Sequence, residues 1–267
     1  MTHLRLSAPL CLALFLAACG GGRAPDARDA APVASAGVMR PNFSDKDPHP
    51  ETRRAHRHPV HGVDVSRFQT SVDWQTARAN GVNFAFIKAT EGGDMVDPMF
   101  KEHWRGAGAA GVARGAYLFY YHCRAPEEQA RWFFKHVPKT PGGLPPVLDM
   151  EWTPTSPTCT IRRDADVIRA DAAVIVQMMT DHYGTAPILY TTVDVFEDNA
   201  LWKLDGVEFW LRSVAAHPSD RYPGQHWAFW QYTSTGEVPG MAGAIDINVF
   251  AGSEAEWSDW LSRRVVQ

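Results

Sequence analysis

The sequence predicts an α/β fold, an irregular TIM-like (β/α) barrel of about eight strands with about five crossover helices. Three observations predict it. From residue 62 onward, short runs rich in β-branched and aromatic residues alternate with stretches of helical periodicity, and parallel neighbours in a sheet need such crossovers because a tight turn cannot join them. In the last third the strand-like runs continue with little helix between them, so the ring must close through irregular connections. Acidic residues also recur within the strand-like runs or at their ends, and chemistry in such barrels gathers at the C-terminal ends of the strands.

The elements follow in order. A strand over 63–65 precedes a helix near 73–80, then a strand at 83–88 and a helix at 98–110. A third strand at 115–121 leads to a helix at 126–136, and a fourth at 146–152 to a long amphipathic helix from about 164 to 183. The fifth strand, 188–191, is followed by a short helix near 195–202. Three further strands, 208–213, 227–232 and 245–249, complete the eight. The chain's 267 residues, 45% hydrophobic, suit one sizeable core, so residues 62–267 are expected to form a single domain acting as a monomer.

The N-terminus has a different character. Residues 1–18 hold one cation, Arg5, then an apolar run from Leu10 to Leu16 and two alanines, the layout of an export signal too short to cross a bilayer comfortably. Leu16-Ala17-Ala18-Cys19 resembles the bacterial lipobox. That resemblance implies cleavage before Cys19 and a lipid on its sulfur as the membrane anchor. Gly20, in place of an Asp after Cys19, favours the outer membrane in a host with two. Residues 19–61 read as a flexible linker rich in Ala, Pro, Gly, Asp and Arg, with His49, His56, His58 and His61 as solvated linker residues. Once Cys19 carries lipid, Cys123 and Cys159 remain as an even pair in an oxidising compartment, and a disulfide between them is expected.

Charge excludes one class of partner. Residues 1–61 carry a net +3, so the −4 of the whole chain leaves −7 for residues 62–267. That domain lacks the cationic footprint a nucleic-acid backbone requires.

The sharpest chemical signal is Leu148-Asp149-Met150-Glu151-Trp152. Residues i and i+2 of a strand share a face about 6.6 Å apart, so Asp149 and Glu151 point the same way. Asp64 in the first strand and Asp246 in the last converge on them if the sheet closes. Four crowded carboxyls cannot all ionise freely, and one must hold its proton near neutrality. Glycoside cleavage needs this, a protonated acid for the leaving oxygen beside a carboxylate that stabilises the oxocarbenium-like centre. The spacing alone does not say which acid does which. Two other readings of the same residues stand: acids neutralised by cations, with Lys88 at a strand end, and a hard-cation site, although no metal is expected because only His122 falls near a strand end.

Six blocks in order resemble glycoside hydrolase family 25, the Chalaropsis-type lysozymes or N-acetylmuramidases. They are Gly62-Val63-Asp64-Val65-Ser66 with Gln69, Phe86 to Gly92, Gly115-Ala116-Tyr117, Leu148 to Glu151, Trp230-Gln231-Tyr232, and Ile245-Asp246-Ile247-Asn248. The resemblance implies Glu151 as general acid, Asp149 assisting it, and Asp64 and Asp246 as supporting carboxylates. It further implies cleavage of the β-1,4 bond between N-acetylmuramic acid and N-acetylglucosamine in peptidoglycan glycan strands, without a cofactor. A binding module that keeps the cleft without the chemistry, and a hydrolase of another amino-sugar polymer such as chitin, are the alternatives.

The chain departs from that pattern at Trp210-Leu211-Arg212-Ser213, where many relatives continue Trp-Ile-Ala. Arg212 therefore narrows or recharges part of the cleft. Tyr117, Trp152, Tyr190, Trp210 and Trp230 lie near strand ends and are candidates for a sugar-stacking floor, against ordinary core packing for each.

Overall fold

In the computed structural model, which describes residue 1 and residues 37–267, eight strands close into a barrel. The elements are β1 (Ser44–Asp45), α1 (Thr52–Ala55), β2 (His61–Val65), α2 (Trp74–Ala79), β3 (Phe84–Glu91), β4 (Met95–Val96), α3 (Phe100–Ala109), β5 (Ala113–Phe119) and α4 (Pro126–His136). They continue with β6 (Val147–Met150), α5 (Ala165–Tyr183), β7 (Ile188–Thr191), α6 (Val193–Asp198), β8 (Glu208–Arg212), α7 (Pro218–Arg221), β9 (Phe229–Glu237), β10 (Ile245–Phe250) and α8 (Glu254–Arg264). Parallel pairing runs β2-β3-β5-β6-β7-β8-β9, and β10 closes the ring with antiparallel pairs to β9 and β2. Helices α2 to α6 are the five crossovers that the alternation predicts, and only the four-residue α7 separates β8 from β9.

Local chemistry sets several element ends. The Asp73 carboxylate accepts from the Thr76 amide at 3.0 Å and starts α2. Pro126 stands in the first turn of α4 with Glu127 and Glu128, and Lys135 and His136 occupy its last turn, complementing the helix dipole. Gly184, at φ 73°, supplies the left-handed residue that ends α5. Ser253 and Glu256 form a reciprocal capping box on α8.

Strand alternation divides the core in two. Phe84, Phe86, Tyr117, Val147, Ile188, Tyr190, Trp210 and Phe229 pack together inside the barrel. Ala85, Ile87, Leu118, Leu148, Met150, Leu189 and Leu211, one step out of phase, pack outward with the helices. Trp257 and Trp260 of α8 stack 5.4 Å apart and close on Phe229 and Phe250, so α8 plugs the lower pole. The opposite pole, at the C-terminal ends of the parallel strands, stays open.

The expected linker over 19–61 requires correction in its later part. Strand β1 pairs with β9, Ser44 opposite Glu237, and the Asn83 side chain accepts from the Met39 amide and donates to its carbonyl, at 2.8 and 2.9 Å. Ala55, Val60 and His61 are fully buried. Of the histidines expected to be solvated, His56 is exposed, whereas His49 and His58 are partly buried and His61 is fully buried. His49 donates to the Tyr232 carbonyl, and His61 bonds both the Tyr232 hydroxyl and the His58 carbonyl. Backbone pairing and a few isolated apolar anchors hold this segment, which is why it shows no hydrophobic period. The expected leader 1–18, apart from Met1, and Cys19 lie outside the described residues. Among those described, no helix is long and apolar enough to cross a membrane.

Cys123 and Cys159 form the expected disulfide, with Cα atoms 5.8 Å apart and 36 residues of separation. It ties the loop after β5 to the loop after β6, where the Thr153 hydroxyl also donates to the Cys159 carbonyl at 2.7 Å. Closing a loop of this length restricts the unfolded chain by roughly 2–4 kcal/mol. A Cys123→Ser, Cys159→Ser variant is expected to lose about that much stability in urea titrations. An unchanged midpoint would show that the loop is held by its hydrogen bonds alone.

Candidate active site

Side chains that alternate inward reach the open mouth from all eight barrel strands. Asp64 of β2 and Asp246 of β10 are direct cross-strand partners. Asp149 of β6 stands level with Tyr190 of β7, which stands level with Trp210 of β8. Glu151 follows β6 by one residue. All four acids line one cavity of about 290 Å³, together with Ser66, Phe68, Gln69, Lys88, Tyr117, Phe119, Tyr190, Trp210, Arg212 and Gln231. The closed ring thus brings together every carboxylate singled out from the sequence.

Their surroundings resist ionisation. Burial and the neighbouring Asp246 charge push the Asp64 carboxyl well above its usual range, although Asn248 and Gln231 each donate to its Oδ2 at 2.8 Å. Burial and the charge of Glu151 raise Asp149 likewise, against the opposing pull of Lys88, and Asp149 Oδ1 is buried with no hydrogen-bond partner among the described residues. Burial raises Glu151 too, the Arg212 charge opposing it and the Asp246 charge adding to it. Asp246 is pushed up to about 6 by burial, with Arg212 pulling the other way. Such mutual restraint lets one carboxyl stay protonated beside another that ionises.

Cations do not cancel this acidity by direct pairing. Lys88 bonds Glu91 at 2.8 Å and lies 4.3 Å over the Phe119 ring. Among the described residues, no ion pair within 4.0 Å involves any of the four carboxylates. His122 donates to the Glu151 carbonyl at 2.8 Å and so fixes the backbone just beyond β6.

Restraint of this kind opposes folding. For Asp246, the folded protein holds a proton that the unfolded chain has already released between about pH 4 and pH 6, so stability falls as pH rises through that window. Asp246→Asn is expected to stabilise the protein at pH 7 by on the order of 1 kcal/mol, read as a Tm gain of a few degrees. The gain should vanish near pH 4 in melts at both values, and an equal gain at both would remove the titration as its cause.

The aromatic candidates separate. Tyr117, Tyr190 and Trp210 line the cavity but are 9%, 5% and 2% exposed. They offer edges, with the Tyr190 hydroxyl donated to Gln231 and the Trp210 N–H to Asn248. Trp152 lines an adjoining cavity of about 650 Å³ that shares Glu151 and Arg212 with the first. Its N–H donates to Asp198 at 2.8 Å, and Arg162 lies 4.8 Å over its ring.

Trp230 is a correction. It is fully buried, donates to the Ser213 carbonyl and packs outside the barrel beside His217 and Tyr232. On β9 the inward positions are Phe229 and Gln231, so Trp230 must face the other way. A ring with an open face does stand at the cavity, Phe68, which is 75% exposed and was not singled out from the sequence. Its signal was an apolar residue amid the polar run just beyond the first strand. Gln231 and Asn248, named above only within their blocks, are the groups that hold Asp64.

The chain is similar to known proteins in sequence and in fold. The chain is 35% identical over 205 residues to Uncharacterized protein YegX of Escherichia coli (strain K12), covering 74% of this chain and 71% of that one. It is 33% identical over 210 residues to Lysozyme M1 of Streptomyces globisporus, covering 73% and 69%. The structure of a family 25 glycosyl hydrolase from Bacillus anthracis superposes with a TM-score of 0.72 at 33% identity, over 81% of this chain and 98% of that one. Residues 63–241 match Glycosyl hydrolases family 25, from the strand that bears Asp64 through the strand that bears Gln231; on that extent the chain belongs to glycosyl hydrolase family 25 and is a glycoside hydrolase.

Proposed function

We propose that this protein is a lysozyme, a 1,4-β-N-acetylmuramidase that hydrolyses the bond between N-acetylmuramic acid and N-acetylglucosamine in peptidoglycan. The observation that carries the reading is the placement of Glu151 and Asp149 in one cavity with Asp64 and Asp246. The names of relatives support the substrate, among them Lysozyme M1 and the N,O-diacetylmuramidase of Chalaropsis sp, which is 32% identical over 146 residues.

In this reading Glu151, whose carboxyl burial raises against the pull of Arg212, with the Asp246 charge adding to the rise, donates its proton to the glycosidic oxygen as the bond to the anomeric carbon breaks. Asp149, beside it, meets the positive charge that develops there, directly or by steering the substrate's N-acetyl group. Water then supplies the hydroxyl of the new reducing end, and its proton returns Glu151 to the starting state. Asp64 and Asp246 hold substrate and maintain the acidity of the group. No cofactor is required. Phe68 offers a sugar-stacking face on the catalytic side, while the Trp152 ring on the adjoining side is already overlain by Arg162 and can meet a sugar only by its edge, with Glu151 shared between the two cavities. We assign an exported monomer held to the membrane by lipid on Cys19, which diacylglycerol on the N-terminal cysteine would establish by mass spectrometry.

The test is product analysis on purified sacculi. Muramic acid at the new reducing ends is the expected result. Release of soluble fragments from chitin alone would move the enzyme to another amino-sugar polymer.

A further inference from the structure

Two residues are common to both cavities, Glu151 and Arg212. Arg212 ends β8, two residues beyond Trp210 on the inward face, and stands level with Gln231 of β9, the residue that bonds Asp64. Its backbone is fixed, because the Tyr222 hydroxyl donates to its carbonyl at 2.6 Å. Its guanidinium is not committed in that way. Among the described residues it makes no ion pair within 4.0 Å and no hydrogen bond, although its charge is felt by Glu151, Asp246 and Tyr190. A half-buried guanidinium with five donors directed at an open cleft is a strong recognition group for a planar anion.

The neighbouring side chains narrow the choice of anion. Arg162 is engaged by Asp198 and by the Trp152 ring. Asp194, Glu197 and Glu151 line the same adjoining cavity as Arg162, Arg212 and Arg221, so its charges balance in sign and it suits a single carboxylate held by Arg212 better than a polyanion. Muramoyl units carry such a group. The lactyl ether of a peptide-free unit ends in a free carboxylate, which becomes an amide when a stem peptide is attached, and the peptide then ends in a carboxylate of its own.

We propose that Arg212 is a specificity-determining residue that binds a substrate carboxylate beside the scissile bond, so that this enzyme distinguishes muramoyl glycans by the charge they carry there. The proposal rests on the muramidase reading for the identity of the glycan. Its test is therefore a binding measurement, which does not need turnover. Calorimetry would compare Glu151→Gln with Glu151→Gln, Arg212→Met on three soluble fragments: peptide-free muramoyl glycan, the same glycan with its carboxyls converted to methyl amides, and glycan bearing intact stem peptides.

The expected result is a loss of affinity of roughly 10- to 100-fold on removing Arg212, the range of a hydrogen bond to a charged group. That loss should be confined to fragments with a free carboxylate and partly restored by Arg212→Lys. A loss on the peptide-free glycan assigns the lactyl carboxylate, and a loss on the peptide-bearing glycan alone assigns the peptide terminus. Equal affinity of the three fragments for the Arg212-containing protein, an equal loss on all three, or no binding of any, would overturn the proposal. Failure of the muramidase reading shows separately, as wild-type protein that releases no muramic acid reducing ends from sacculi.

Discussion

Glu151→Gln is expected to lower the rate of glycan release from sacculi by roughly 10²–10⁴ while leaving affinity for the glycan within a few fold. The substitution keeps the shape of the side chain and its place between the two cavities, but an amide has no proton to give the leaving oxygen. The backbone at that position is held independently, by the donation from His122 to the Glu151 carbonyl, so the variant should fold as the parent does. Removing one carboxyl also relieves its neighbours, because Asp149 is raised in part by the Glu151 charge; a modest gain in stability should accompany the loss of rate. The measurement is turbidity clearing and reducing-end release, with a pull-down on insoluble wall as the binding control. Wild-type release by the variant would remove Glu151 from the role of general acid. A parallel loss of rate and binding would instead show that the carboxyl holds substrate rather than protonating it.

The barrel was legible because its signals are periodic. Helix α4 spans the predicted 126–136 and strand β7 the predicted 188–191, since helical and strand periods, a proline start and turn residues agree there. The four acids were legible for the same reason, being charged residues in phase with buried strand faces. What sequence could not express was depth. Tyr190 and Trp210 do face inward, but they sit where ring closure packs them against Phe86 and each other, and that layer is visible only once eight strands share one interior. The early segment was missed for another reason: β1 has two residues, too few to carry any period, and backbone pairing with β9 leaves no mark on composition.

Trp230 exposes the remaining ambiguity, and its substitution should have a large effect of a different kind. Trp230-Gln231-Tyr232 flank one another on β9, and an aromatic-polar-aromatic alternation is compatible with either parity: aromatics to the sugar and Gln outward, or the reverse. The hydrogen bond from Gln231 to Asp64 fixes the second. Trp230→Ala is therefore expected to cost about 3–5 kcal/mol of stability through the cavity it leaves beside His217, Trp227 and Tyr232. The Ser213 carbonyl, which now accepts the indole N–H, would lose that partner as well. Urea titration should show a lower midpoint at constant slope, with any surviving folded enzyme near its normal KM. Phe68→Ala supplies the contrast, because that ring is largely exposed at the cleft: stability should stay within about 0.5 kcal/mol while KM rises. The opposite pattern, a stable Trp230→Ala with weakened glycan binding, would mean that β9 presents its other face to the cleft, and the Gln231 bond to Asp64 would then have to be abandoned with it.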